Sequence, residues 1–128
     1  MVRLVLDTSI FIAQESGRPL GPLPIEASLA ISVVTLAELR TGVLTASDET
    51  RPRRLATYDA ASRFDPLAID RAVADRFADL AALAVAAGRK PRVQDTWIAA
   101  TAAVHGAAVA TQDDDFDVFT TAVEVLKL

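Results

Sequence analysis

The chain has 128 residues, 52% of them hydrophobic, and a net charge of −4 from 17 acidic and 13 basic side chains. That length suits one domain spanning residues 1–128, the apolar content excludes a disordered chain, and the acidic balance weighs mildly against a nucleic-acid binder, which is usually basic. With no cysteine and a single histidine, His105, disulfide frameworks, thiolate zinc sites and histidine clusters are excluded.

Val2–Leu6 is a short run rich in Val and Leu and reads as a buried parallel strand. Thr8–Glu15 reads as a short helix. Ser16–Ser28 carries Pro19, Pro22, Pro24, Gly17 and Gly21 and reads as a loop. Leu29–Ile31 is a second strand, and Ser32 caps a helix from about Val33 to Leu44. Asp48 to about Arg63 reads as a helix with Pro52 in its first turn. Pro66–Ile69 is a short strand. Asp70 then caps a long helix to about Ala87, with Val73, Phe77, Leu80 and Ala84 at helical spacing and Gly88 as its stop. Arg89–Gln94 is a basic loop. Asp95–His105 is a helix ended by Gly106, and Ala107–Ala110 and Val123–Leu126 are the last strands. Strands alternating with helices predict an α/β sandwich on a mainly parallel sheet.

No stretch reaches the ~18 uninterrupted apolar residues of a membrane span. Asp7 interrupts the N-terminal apolar run too early for a signal peptide. The expectation is a cytoplasmic protein with no membrane contact.

Four acids sit beside strongly apolar sequence. Asp7 closes the first strand, and Glu38 is the one charge between Leu29 and Leu39. Asp95 opens the run Thr96-Trp97-Ile98-Ala99-Ala100, and Asp113 follows the strand at Ala107–Ala110. Taken singly, Asp7 reads as a strand-end turn residue, Asp95 as an N-cap and Asp113 as a turn acid. Taken together they fall on one rim, because sites in parallel sheets form beyond the carboxyl ends of the strands. A helix that leads into a strand also begins at that edge. Carboxylates gathered there repel one another unless cations sit among them, and oxygen-only ligands suit Mg²⁺ or Mn²⁺. Such ions support hydrolysis of phosphodiesters without a protein nucleophile, consistent with a chain that has no Cys and one His.

Thr8, Ser9 and Thr111 flank the acids and are candidates to orient carboxylates or a water. Asp115 reads either as a fifth, water-mediated acid or as a surface residue of the Asp113-Asp114-Asp115 turn. Arg89, Lys90 and Arg92 lie just ahead of Asp95, where they could meet a phosphate backbone. The run Arg51, Arg53, Arg54 reads as a solvated helix start, Trp97 as core and His105 as a helix C-terminal residue.

Leu4-Val5-Leu6-Asp7-Thr8-Ser9, Ser32-Val33-Val34-Thr35-Leu36-Ala37-Glu38-Leu39, Asp95-Thr96-Trp97-Ile98-Ala99-Ala100-Thr101-Ala102 and Ala110-Thr111-Gln112-Asp113-Asp114-Asp115-Phe116 resemble the successive motifs of PIN-domain ribonucleases. Among these the sequence most resembles the VapC toxins of bacterial toxin–antitoxin pairs. The resemblance implies a PIN-like α/β/α sandwich with a five-stranded parallel sheet and RNA cleavage dependent on Mg²⁺ or Mn²⁺. It implies that Asp7, Glu38, Asp95 and Asp113 bind metal, with Asp115 assisting. It also implies a homodimer that binds a cognate antitoxin as a heterotetramer or larger assembly, the antitoxin's C-terminal segment lying in the active-site groove. The proline-rich stretch Ser16–Ser28 departs from many relatives, which have more helix there.

Three other readings compete. A PIN-fold nuclease of RNA maturation would need no antitoxin. A non-catalytic RNA- or protein-binding module would have little reason to retain four mutually repelling acids. A receiver-type signalling domain needs a late lysine, and the one candidate, Lys127, falls in the last strand.

Overall fold

In this computed structural model, which describes residues 2–128, strand β1 (Arg3–Leu6) occupies the centre of a five-stranded sheet. The other strands are β2 (Ser28–Ser32), β3 (Pro66–Leu67), β4 (Ala108–Thr111) and β5 (Val125–Lys127). Their order is β3-β2-β1-β4-β5, and every neighbouring pair runs parallel. The helices are α1 (Thr8–Ser16), α2 (Val33–Thr45), α3 (Arg51–Ala61), α4 (Arg71–Ala86) and α5 (Val93–Val104), with a 3₁₀ turn at Asp117–Phe119.

Side chains alternate across β1, so its residues feed two cores. Val5 packs with Val109, Val73, Leu80, Ile98, Phe116 and Phe119 beneath α4 and α5. Leu4 and Leu6 join Phe11, Ile31, Leu39, Ala61 and Ala110 on the opposite face, under α1 and α3. Register explains the split: Val5 stands beside Val109, while Leu4 and Leu6 stand beside Ala108 and Ala110. Apolar residues on both faces require cover on both faces, and the result is the expected α/β/α sandwich. Trp97 stacks on Phe77 with ring centroids 4.0 Å apart, so it is a packing residue, as read from the sequence.

Local chemistry sets the helix boundaries. Ser32 accepts from the Val34 amide at 3.0 Å and Asp70 from the Val73 amide at 3.0 Å, each satisfying an N-terminal donor. Gly88 and Gly106 follow α4 and α5 with φ of 73° and 62°, the left-handed geometry that ends a helix without a Cβ clash.

Several boundaries differ from the sequence expectation, in four elements by two residues or more. Helix α5 begins at Val93, so Asp95 is a first-turn residue and Arg92 occupies the cap without a side-chain bond. Helix α3 begins at Arg51, because Ser47 and Thr50 close a turn first. Strand β3 is only Pro66–Leu67. Strand β5 starts at Val125, since the Val123 amide is taken by the Phe119 carbonyl at 2.9 Å, in an i→i−4 turn that follows a 3₁₀ segment at Asp117–Phe119 the sequence did not reveal.

Candidate active site

The chain leaves β1 toward β2 and β3 on one side and returns to β4 on the other. The sheet therefore has its switch point between β1 and β4, where a crevice opens at the carboxyl ends. Asp7 directly follows β1, and Asp113 lies two residues past β4. Ser32 ends β2 and starts α2, which places Glu38 in the second turn above the same edge. Helix α5 leads into β4 and so begins at that edge, with Asp95 in its first turn. The N-termini of α1, α2 and α5 all approach the rim, and their positive ends partly offset the gathered negative charge.

The structure brings all four acids into one cleft of about 340 Å³, lined also by Thr8, Ser9, Ile12, Arg18, Arg92 and Asp115. Asp7 is only 2% exposed. Its Oδ2 accepts from the Ser9 amide at 3.3 Å, which caps α1, and from the Thr111 hydroxyl at 2.9 Å. With its proton given to Asp7, Thr111 accepts from the Ser9 hydroxyl at 3.1 Å and from the Asp113 amide at 3.0 Å. One buried threonine thus fixes the carboxylate after β1 relative to the backbone after β4. Ser9 in turn accepts from the Gln112 amide at 3.0 Å, so α1 and the β4 exit are tied twice.

Glu38 accepts from the Thr8 hydroxyl at 2.8 Å, and Thr8 lies 3.4 Å from the buried hydroxyl of Thr35. Burial and the Asp7 charge push the Glu38 carboxyl above the usual range, against the lowering effect of the Thr8 bond. Asp95 is pushed up to about 6 by burial and by Asp7, Asp115 and Glu38, despite the opposing effect of Arg92. Asp113 is likewise raised, first by burial and then by Asp7 and Asp115, with Arg18 and Arg92 pulling the other way. Three of the acids therefore hold their protons more tightly than free carboxylic acids, and the two arginines do not compensate the cluster.

Arg92 reaches both Asp95, at 3.3 Å, and Asp115, at 3.6 Å. This puts Asp115 on the wall of the cleft rather than on the open surface. Asp114 behaves as the bland turn residue: it is exposed, pairs with Lys127 and has its carboxyl lowered by that contact. Arg89 and Lys90 do not line the acid cleft; they face a neighbouring cavity that shares its Arg92 and Asp115.

Two further residues, Arg18 and Thr35, stand at the site without having been read from the sequence. Arg18 sits in the proline-rich loop and is directed by the end of α1, where its amide bonds the Ala13 carbonyl at 2.9 Å after Gly17 turns with φ of 73°. Thr35 stands one helical turn before Glu38, a spacing that could have flagged it as a neighbour of that carboxylate. The arginines at 51, 53 and 54 play structural parts. Arg51 pairs with Asp48, while Arg53 and Arg54 converge on the nearly buried Glu15.

The donor set in the cleft is carboxylate and hydroxyl oxygen with no nitrogen or sulfur ligand, the chemistry of a hard divalent cation. Among the described residues no three acids stand as a closed ligand set around one point. An open cleft of this kind fits one or two ions, each of which keeps several waters and takes one or two carboxylates directly, with the remaining acids reached through those waters.

Fold and site together define an α/β/α sandwich with an acidic, oxygen-only site at the switch point of a parallel sheet. The sequence matches the PIN domain family model over residues 4–120. It is 48% identical to Ribonuclease VapC5 of Mycobacterium tuberculosis, over 88% of this chain and 84% of that protein. It is 47% identical to Ribonuclease VapC4 of the same organism, over 89% of this chain and 88% of that protein. The crystal structure of VapBC-5 from M. tuberculosis, a member of the VapBC family of toxin–antitoxin systems, superposes with a TM-score of 0.83 at 41% identity, covering 100% of this chain and 98% of that one. The chain belongs to the PIN-domain family, and within it to the VapC ribonucleases.

Proposed function

We propose that the chain is the toxin of a toxin–antitoxin pair, an endoribonuclease that hydrolyses RNA phosphodiester bonds with Mg²⁺ or Mn²⁺ held by Asp7, Glu38, Asp95 and Asp113. The observation that carries this reading is the convergence of these four acids, from four separate elements, in one cleft at the switch point. The chain's kinship with VapC5 and VapC4, both ribonucleases by name, supports RNA as the substrate class. A bound divalent cation would supply Lewis acidity toward a water and toward the scissile phosphate.

The chain's own residues prepare the cleft. Thr111 and the Ser9 amide hold Asp7 by Oδ2, which leaves Oδ1 its lone pairs for a cation. Thr8 orients Glu38 and keeps its proton affinity from rising further. Asp115 assists from the wall, where it shares Arg92 with Asp95. Each acid must be ionised to serve, so a cation and the raised proton affinities of Glu38, Asp95 and Asp113 compete for the same oxygens.

The partner is a cognate antitoxin, in keeping with the VapBC-5 assembly. An acidic cleft that already accommodates Arg18 and Arg92 is suited to a basic side chain from such a partner. We place the protein in the cytoplasm as a homodimer that takes up antitoxin as a heterotetramer or larger. Among the described residues no helix is long and apolar enough to cross a membrane. Both cores pack on the one sheet, which supports a single domain over residues 1–128.

Induced expression in a bacterial host tests the reading. Growth arrest with new RNA 5′ ends, absent for Asp7→Asn and relieved by the cognate antitoxin, is the expected result. Arrest without new RNA ends would contradict it.

A further inference from the structure

Beside the acid cleft lies a second cavity of about 310 Å³, lined by Ala84, Arg89, Lys90, Pro91, Arg92, Asp115, Val118 and Phe119. Its two halves differ in chemistry. The loop after α4 contributes Arg89, Lys90 and Arg92, while Pro91, Val118, Phe119 and Ala84 form an apolar floor. Phe119 and Ala84 are each 1% exposed and belong to the packed core, so this floor is fixed. Arg89 and Lys90 form no ion pair among the described residues. The one acid in the lining, Asp115, is already engaged by Arg92 at 3.6 Å.

We infer that this cavity is a nucleotide subsite: it receives the RNA nucleotide next to the scissile phosphate, with phosphate on Arg89 and Lys90 and base on the Pro91–Val118–Phe119 floor. The inference rests on the nuclease reading of the acid cleft. Arg92 and Asp115 line both spaces, so the two are adjacent and one strand can pass from one to the other. The volume is at the small end of ligand pockets, room for a single unstacked nucleotide and not for a duplex. Proteins that read RNA do so on splayed single-stranded bases held against apolar and arginine surfaces, with backbone phosphates on cations. An acidic peptide would satisfy the basic half but would meet the carboxylates next door. A polyanion accompanied by divalent cations satisfies both.

The test reads binding apart from cleavage, by fluorescence anisotropy of a short, randomised single-stranded RNA in an Asp7→Asn background. Adding Lys90→Ala is expected to weaken binding about tenfold, the worth of one charge-assisted contact. It is also expected to lower the slope of log affinity against log salt by about 0.7, one phosphate's share on a single strand. Val118→Phe fills the cavity and is expected to weaken binding with the slope unchanged. Arg63→Ala, an exposed cation in the turn after α3, serves as control and is expected to change neither. Binding unaffected by both cavity variants would overturn the subsite, as would a glutamate peptide of matched charge that displaces the RNA as well as unlabelled RNA does. The nuclease reading fails separately, if the unaltered chain cuts no RNA with metal; the subsite is decided by the binding comparison alone.

Discussion

Replacing Asp95 by Asn should stabilise the metal-free protein, and the size of the gain follows from the crowding of the cleft. The carboxyl is raised from 3.8 to about 6 by burial and by three neighbouring acids. That gap corresponds to roughly 3 kcal/mol of disfavoured charge at neutral pH. The side chain is 18% exposed, so solvent screening brings the expected gain down to about 1–2 kcal/mol. For a domain of this size the melting temperature should rise by about 5 °C. The pH dependence fixes the cause. With the folded value above the unfolded one, the folded protein binds the extra proton between 3.8 and about 6, so stability is lost as pH rises through that window. The advantage of Asp95→Asn should therefore be absent near pH 3.5, grow across the window and be complete above about pH 6.5. Thermal melts of both proteins in EDTA across pH provide the assay, and added Mg²⁺ should narrow the difference by stabilising the parent more. A variant no more stable than the parent at pH 7.5, or one whose advantage ignores pH, would refute this electrostatic account.

Other consequences are equally direct. Thr8→Val removes the one bond that lowers the Glu38 carboxyl, so the acid limb of the pH–rate profile should move to higher pH, as measured by initial rates of RNA cleavage. Glu15→Ala removes the acceptor that Arg54, at 3.0 Å, and the Thr57 hydroxyl, at 2.8 Å, share between α1 and α3, and leaves Thr57 only the Arg53 carbonyl at 3.2 Å. Because both partners can rehydrate, denaturant melts should show a loss of about 1–3 kcal/mol with cleavage by the surviving fold retained. Ile31→Ala empties a fully buried position in β2 and should cost about 2–5 kcal/mol by the same melts.

Most of the fold was legible because its signals are local. Val2–Leu6 and Ala107–Ala110 are apolar runs too short for helices, while Ser32, Asp70, Gly88 and Gly106 punctuate the helices by cap chemistry. The gathering of Asp7, Glu38, Asp95 and Asp113 followed from topology, since strand ends and the starts of returning helices share one edge. What escaped depends on contacts between distant segments. Thr111 could be noted as a neighbour of the acids, but that it bonds Asp7 104 residues away is visible only when β1 and β4 lie side by side. Arg18 was hidden because a proline-rich loop gives no period from which to infer direction. The start of β5 was misplaced because Val123 is as apolar as a strand residue, and only its bond to Phe119 assigns it to the preceding turn. Asp115 remained ambiguous between a turn and a rim until its contact with Arg92 placed it on the cleft wall.

The central claim is that the acid cleft cuts RNA with a divalent cation. Its most direct test is cleavage of total cellular RNA by the purified, antitoxin-free chain with Mg²⁺ or Mn²⁺, beside an EDTA control and Glu38→Gln. The account predicts discrete fragments that require both metal and Glu38. Fragments that persist in EDTA, or equal cleavage by Glu38→Gln, would contradict it.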